Sequence, residues 1–161
     1  MVTIVYFDGL CEPVNPGGIA AYGFVIYRDG KLLSARGGVL GAGFFGDDVT
    51  NNVAEYTALI KALEWLVENG LSGDELVVRG DSQLVLKQLK GEYTVKSKRI
   101  TPLYQKVTEL LKLFPKVTLE WVPRQLNAKA DSLSREAVGE FLRRHPEALN
   151  FYKERYRRAK N

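Results

Sequence analysis

Four acidic residues stand where a carboxylate suits a metal ion. Asp8 follows the apolar run VTIVYF, and Asp81 follows the run ELVVRG. Glu55 and Asp131 lie near the starts of two predicted helices, in the contexts TNNVAEY and NAKADSL. A carboxylate at the end of a buried strand is costly unless a positive charge meets it, and several converging carboxylates favour a hard divalent cation. The four acids therefore predict metal-dependent phosphoryl-transfer chemistry.

The elements that must position these acids follow from hydrophobic periodicity and turn residues. A buried strand is predicted over VTIVYF, followed by a loop over DGLCEPVNPGG. Two strands with a hairpin turn at 28–31 are predicted over AAYGFVIYRDGKLLSARGGVL, and two later strands over ELVVRG and VTLEWV. Four helices are predicted, over about 52–68, over the run SQLVLKQLKG, over about 100–113 and over about 127–144. Pro146 ends or kinks the last of them.

The order of these elements predicts an α/β fold with a mixed sheet. Helical crossovers between the first, fourth and fifth strands make those three parallel, and the second strand antiparallel to them. Asp8 and Asp81 would then meet at the carboxyl ends of parallel strands, an edge where active sites gather. Taken singly, each of these acids is equally compatible with an ordinary turn or cap.

Composition places the chain among single-domain globular proteins. Its 161 residues, 45% of them hydrophobic and 26% charged, suffice for one core. No apolar run is long enough to span a membrane, and no signal peptide is predicted. Cys11 is the single cysteine, so an internal disulfide is impossible, which agrees with a cytoplasmic location.

The positive charge is concentrated at the carboxyl end of the chain. Residues 141–161 contain seven Lys or Arg and two acids, whereas residues 1–140 contain 16 basic and 17 acidic residues. We therefore predict a domain over 1–140 and a basic, helical tail over 141–161. Three roles for the tail are open: a helix docked on the core, a nucleic-acid arm or a partner-binding segment. Leu149, Tyr152 and Tyr156 fall near one helical face, so we favour a docked helix whose basic residues face outward.

Four motifs make the family recognisable: YFDGLCEPVNPGG, TNNVAEYTALIKAL, VVRGDSQLVLKQL and WVPRQLNAKADSLS. In this order and spacing, over about 2–137, the chain resembles the type 1 ribonuclease H family. The resemblance implies a five-stranded mixed sheet flanked by helices. It also implies cleavage of the RNA strand of RNA/DNA hybrids, leaving 5′-phosphate and 3′-hydroxyl ends.

The resemblance assigns the metal ligands by motif, as Asp8, Glu55, Asp81 and Asp131. It implies two Mg²⁺ or Mn²⁺ ions, one activating the attacking water and the other stabilising the leaving 3′ oxygen. Asp8 is expected to bridge both ions.

The same resemblance implies a set of substrate-binding residues. Asn15, Asn52 and Gln83 occupy positions that the family uses in the minor groove, where an amide offers the 2′-OH both a donor and an acceptor. Thr50 and Asn51 fit a phosphate pocket for the DNA strand, and helix capping is the alternative for both.

The chain departs from many relatives in two places. The loop WVPRQLNAKAD lacks the histidine that many relatives carry, and the only histidine, His145, is predicted at the surface. We predict that Arg124 meets phosphate charge in its place, with a solvated loop arginine as the alternative. The segment GEYTVKSKRITP is too short for the basic helical handle of some relatives, although Lys96, Lys98 and Arg99 could touch the DNA backbone.

Two alternatives to a strict hybrid endoribonuclease stay open. The same fold could also cleave double-stranded RNA, whose minor groove is similar, or bind hybrids without cleaving them. We expect a monomer with no membrane partner.

Overall fold

The computed structural model describes residues 1–160, apart from the side chains of Tyr156, Ala159 and Lys160. Its strands are β1 (Val2–Glu12), β2 (Ile19–Arg28), β3 (Lys31–Ala42), β4 (Glu75–Gly80) and β5 (Val117–Trp121). Its α-helices are α1 (Asn51–Glu68), α2 (Gln83–Leu89), α3 (Thr101–Leu111), α4 (Ala128–Arg144) and α5 (Pro146–Lys160). Two 3₁₀ turns, Gly43–Phe45 and Arg124–Asn127, precede α1 and α4.

The five strands form one mixed sheet in the order β3-β2-β1-β4-β5. β1 and β4 are parallel, as are β4 and β5, whereas β2 is antiparallel to both β1 and β3. The predicted hairpin turn is confirmed, because Asp29 and Gly30 both have positive φ, as a tight turn between β2 and β3 requires. The predicted five-stranded mixed sheet with flanking helices is therefore confirmed.

β1 is longer than the sequence pattern predicts. The expected loop begins at Asp8, but β1 continues to Glu12 because β2 pairs with it as far as Ile19. Pairing with β4, in contrast, stops at Phe7 opposite Gly80. Asp8 is thus not the end of the strand, yet Asp8 and Asp81 each follow the last pair of the parallel ladder.

Two cores cover the two faces of the sheet. On one face, Val5, Phe7 and Val78 pack with the leucines of α1 and with α3. On the other face, Leu10 and Ile19 pack with residues of α4 and α5. Val138 and Phe141 of α4 share this core with Ala148 and Tyr152 of α5, which joins the carboxyl-terminal segment to the domain.

Helix α5, which makes up most of the predicted tail, is docked on the domain. α4 runs through the predicted boundary at residue 140 and ends at Arg144, and α5 begins at Pro146. Tyr152 is buried against the core, whereas Leu149, predicted on the same face, is exposed; the side chain of Tyr156 lies outside the described part. Within residues 1–160, no helix combines the length and apolar character needed to cross a membrane.

Candidate active site

Gly9 allows β1 and α1 to touch at the position where Asp8 and Glu55 meet. A Cβ on Gly9 would lie 2.2 Å from the backbone nitrogen of Glu55 and 2.3 Å from the carbonyl carbon of Ala54. Backbone atoms cannot yield that much space, so any larger residue would push the first turns of α1 away from the strand. The glycine in the motif FDG therefore sets the distance between two of the acids.

Gly23 has the same role on the neighbouring strand. It is paired with Asp8 across the β1–β2 ladder, and a Cβ there would lie 2.2 Å from the carbonyl oxygen of Ala130. The first turn of α4 therefore rests directly on the sheet beside Asp8, which brings Asp131 to the same edge.

Three of the four predicted acids converge at this edge. Carboxylate oxygens of Asp8, Glu55 and Asp81 all lie within 4.8 Å of one another. They line a cavity of about 280 Å³, here called the cleft, together with Asp131 and Arg124. Asp131 thus borders the cleft but lies outside the set of three.

The crowding of these carboxyl groups perturbs their protonation. Burial, followed by repulsion from Asp81 and interaction with Asp131, raises the pKa of Asp8 from 3.8 to about 8. Burial, followed by repulsion from Asp8 and Asp81, raises the pKa of Glu55 well above its usual value. The isolated cluster disfavours its own negative charge, and a cation would relieve that cost.

The donor set fits a divalent metal ion. All the groups are carboxylate oxygens, which Mg²⁺ and Mn²⁺ prefer. The Oε2 atom of Glu55 is buried and has no hydrogen-bond partner among the described residues. An unpaired buried carboxylate oxygen is expensive, and an ion between the three acids would satisfy it.

Asp131 is held by an arginine that sequence reasoning missed. Nε of Arg135, one turn further along α4, donates to Oδ2 of Asp131 at 3.0 Å and to Oδ1 at 3.2 Å. Nη1 of the same side chain donates to Oε1 of Glu12 at 3.0 Å. Arg135 therefore links the fourth acid to the end of β1, and its i,i+4 spacing from Asp131 is the signal that could have identified the pair.

Asn127 is a second residue that sequence reasoning missed. Its Nδ2 donates to the carbonyl oxygen of Phe7 at 2.8 Å and to Oδ2 of Asp81 at 3.2 Å, and the residue is 1% exposed. The Trp121 indole also donates to the backbone carbonyl of Asp81, at 3.0 Å. Asn127 thus orients Asp81 from the end of the 3₁₀ turn, a role that no local pattern predicts.

Four predicted substrate-binding residues line a second cavity of about 590 Å³ beside the cleft, here called the groove. They are Asn15, Thr50, Asn51 and Asn52. The Oδ1 of Asn15 accepts a hydrogen bond of 3.0 Å from the backbone of Asn51, which ties the β1–β2 loop to the start of α1. Thr50 also caps α1, because its Oγ1 accepts from the backbone of Val53 at 3.2 Å.

Gln83 is placed differently from the other predicted substrate-binding residues. It is exposed at the first position of α2, two residues after Asp81, and the described lining of the groove includes Gln88 rather than Gln83. In the chain it stands between Ser82, which lines the cleft, and Leu84, which lines the groove.

The basic residues divide between the cleft and the groove. Arg124, at the start of the 3₁₀ turn, is exposed and lines the cleft with the acids. Lys96 and Arg99 line the groove, and Arg99 is paired with Asp48. His145 is not a simple surface residue, since its ring packs 4.6 Å from that of Phe141.

Comparison with known proteins agrees with the fold. A profile of the family described as reverse transcriptase-like matches residues 7–137. Ribonuclease HI of Halobacterium salinarum is 41% identical over 133 residues, which cover 83% of this chain and 62% of that protein. The chain therefore spans less than two thirds of the length of this relative.

Solved structures extend the likeness to the whole sheet. The crystal structure of RNase H1 from Halobacterium salinarum superposes with a TM-score of 0.77 at 38% identity, covering 87% of this chain and 99% of that one. LC11-RNase H1 in complex with an RNA/DNA hybrid gives a TM-score of 0.77 at 36% identity, covering 87% of this chain and 99% of that one. The architecture is thus the ribonuclease H-like fold, and the chain belongs to the type 1 ribonuclease H family.

Proposed function

We propose that this protein is an endoribonuclease that hydrolyses the RNA strand of RNA/DNA hybrids and leaves 5′-phosphate and 3′-hydroxyl ends. The observation that carries the proposal is the convergence of Asp8, Glu55 and Asp81 within 4.8 Å, at the edge of a ribonuclease H-like sheet. A hybrid is the proposed substrate because LC11-RNase H1, which shares the fold at 36% identity, is in complex with one.

The cofactor that suits the cleft is Mg²⁺ or Mn²⁺, with two ions expected when substrate is bound. Asp8, Glu55 and Asp81 would hold them, and Asp131 would complete the set. Such ions supply an activated water and charge stabilisation at the leaving 3′ oxygen. Asp8, whose carboxyl group interacts with those of both Glu55 and Asp81, would help to hold both ions.

The protein's own contribution is to hold the acids rigidly. Asn127 fixes the carboxylate of Asp81, and Arg135 fixes that of Asp131. These contacts set the positions of the ligands before substrate arrives, so little reorganisation is needed during the reaction. Arg124, which lines the cleft, would meet the charge of the scissile phosphate.

Recognition of the hybrid falls to the groove. Two of its amide side chains, Asn15 and Asn52, offer both donors and acceptors to the sugar edge, where the 2′-OH distinguishes RNA from DNA. Thr50 and Asn51, with Lys96 and Arg99 in the same groove, would contact the backbone of the DNA strand. Gln83 would contact the minor groove nearer the cleft.

The experiment is cleavage of end-labelled RNA/DNA, RNA/RNA and DNA/DNA duplexes of one sequence, with Mg²⁺, with Mn²⁺ and with chelator. We expect metal-dependent cutting of only the RNA strand of the hybrid, and no cutting by Asp8→Asn. Cutting of RNA/RNA as well would broaden the substrate class. A folded protein that binds the hybrid without cutting it would refute the endoribonuclease and leave a binding module.

We also propose that the protein acts as a monomer in the cytoplasm. The support is its single domain and its single buried cysteine, Cys11. Sedimentation at working concentrations would test the oligomeric state.

A further inference from the structure

Helix α5 lies outside the segment that the family profile matches, which ends at residue 137. It is nevertheless firmly placed. Ala148 and Tyr152 are buried, and the Tyr152 hydroxyl accepts a hydrogen bond of 3.0 Å from the backbone of Phe44. The ring of Phe151 packs edge-on against that of Phe44, at 5.4 Å. These contacts fix the direction in which the described side chains of α5 project.

One flank of α5 faces the loop that carries Asn15. Nη1 of Arg155 lies 3.7 Å from the position that a Cβ on Gly17 would occupy. Gly17 is two residues from Asn15, and its N–H donates to the carbonyl oxygen of Val49 at 3.0 Å. Arg155 therefore stands beside the rim of the groove, next to residues proposed to bind the hybrid.

The exposed cations of α5 fall on two opposite flanks. Helical spacing places Arg155 and Arg158 on the same flank as Phe151. Lys153 and Arg157 lie on the other side of the buried residues Ala148 and Tyr152. The guanidinium of Arg155 lies 4.8 Å from the centre of the Phe151 ring, which supports it from beneath. None of these four cations forms an ion pair with an acid in the described part of the chain, so their charge is available.

We propose that the flank formed by Arg155 and Arg158 binds the phosphate backbone of the hybrid that occupies the cleft. The inference rests on the proposed function. A duplex carries one negative charge per about 1.7 Å of axis, so a backbone held at Asn15 presents further phosphates within reach of this flank. The flank extends the substrate surface past the β1–β2 loop, on the side away from Lys96 and Arg99.

The test compares two double variants that remove equal charge from α5. Arg155→Ala/Arg158→Ala removes the flank beside the loop, and Lys153→Ala/Arg157→Ala removes the opposite flank. Hybrid binding is measured over a salt series in the Asp8→Asn background, and cleavage kinetics are measured with Asp8 intact. A length series of hybrids then separates contacts within the cleft from contacts beyond it.

We expect Arg155→Ala/Arg158→Ala to raise KM on the order of tenfold and to reduce the slope of log affinity against log salt by about one to two. The kcat value should not change, because neither arginine touches the acids. The increase in KM should vanish on hybrids that are too short to extend past the β1–β2 loop. Lys153→Ala/Arg157→Ala should leave KM and the salt slope close to wild type. Arg155→Lys/Arg158→Lys should restore most of the affinity, which separates charge from packing on Phe151.

Equal losses in the two alanine doubles would overturn the proposal, because they would reflect net charge alone. Unchanged KM and salt slope in Arg155→Ala/Arg158→Ala would overturn it as well. Either result, with wild type still cutting the hybrid, leaves the proposed function intact. Failure of the wild-type protein to bind or cut the hybrid would instead refute the proposed function.

Discussion

Replacing Asp8 by asparagine should stabilise the protein when no metal is present. In the folded protein, burial and the neighbouring acids raise the pKa of Asp8 from 3.8 to about 8. Below the unfolded pKa the carboxyl group is neutral in both states and costs nothing. As the pH rises toward the folded pKa, the unfolded chain releases a proton that the folded protein retains, so the stability of the metal-free protein falls.

The size of the effect follows from that shift. Each pKa unit between the unfolded value and the working pH is worth 1.36 kcal/mol, which gives about 4 kcal/mol at pH 7. Relaxation of solvent in the cleft lowers this penalty. Asparagine carries no charge at any pH, so Asp8→Asn should raise the free energy of unfolding by about 3 kcal/mol at pH 7 and by almost nothing near pH 4.

The assay is urea unfolding in chelator, followed by circular dichroism, from about pH 4 to about pH 8. Glu109→Gln is the control, because Glu109 is an exposed carboxylate on α3, away from the cleft. Its stability should follow the wild-type pH dependence. Added Mg²⁺ should stabilise wild type more than Asp8→Asn, because the variant has lost a ligand. An Asp8→Asn protein that is no more stable than wild type at pH 7, or whose gain is equal at pH 4, would refute this electrostatic account.

Three further predictions concern residues outside the set of three acids. Arg124→Ala should lower kcat by at least about tenfold with a smaller change in KM, and a normal kcat would remove Arg124 from the site. Asn52→Ala and Gln83→Ala should each lower kcat/KM for the hybrid by about two- to tenfold, in proportion to one lost hydrogen bond. Unaltered kinetics in either variant would exclude that residue from recognition. Tyr152→Phe should lower the free energy of unfolding by about 1 kcal/mol, measured by urea unfolding, because the backbone N–H of Phe44 loses its acceptor. Equal stability of the variant and wild type would show that this hydrogen bond is not important for docking α5.

Local patterns in the sequence were sufficient to predict most of the secondary structure. The alternation of apolar residues predicted the strands, and the turn at Asp29 and Gly30 predicted the β2–β3 hairpin. The predicted start of α1 was one residue late, and α3 was predicted from Ile100 to Leu113 but spans Thr101–Leu111. Such differences arise because terminal turns depend on capping contacts more than on periodicity.

Long-range contacts could not be predicted in the same way. The extension of β1 to Glu12 depends on its pairing with β2. The partial burial of His145 depends on contacts of its ring with Phe141 and with Phe45 of the first 3₁₀ turn. Docking of α5 depends on a binding surface contributed by residues more than one hundred positions away. The sequence pattern predicts that the tail helix docks, but local periodicity does not identify the distant residues that these elements contact.

Residue types and local patterns identify which residues could serve as metal ligands and in which elements they lie. Residue type, side-chain period and turn chemistry are local properties, and they place Asp8 and Asp81 beside the ends of parallel strands. The distances between these side chains are set by the folded chain, in which oxygens of Asp8, Glu55 and Asp81 come within 4.8 Å of one another and Asp131 is bound by Arg135. This convergence depends on close approach between separate elements, at Gly9 and Gly23, and on the orientation that Asn127 imposes on Asp81, and no local pattern contains either.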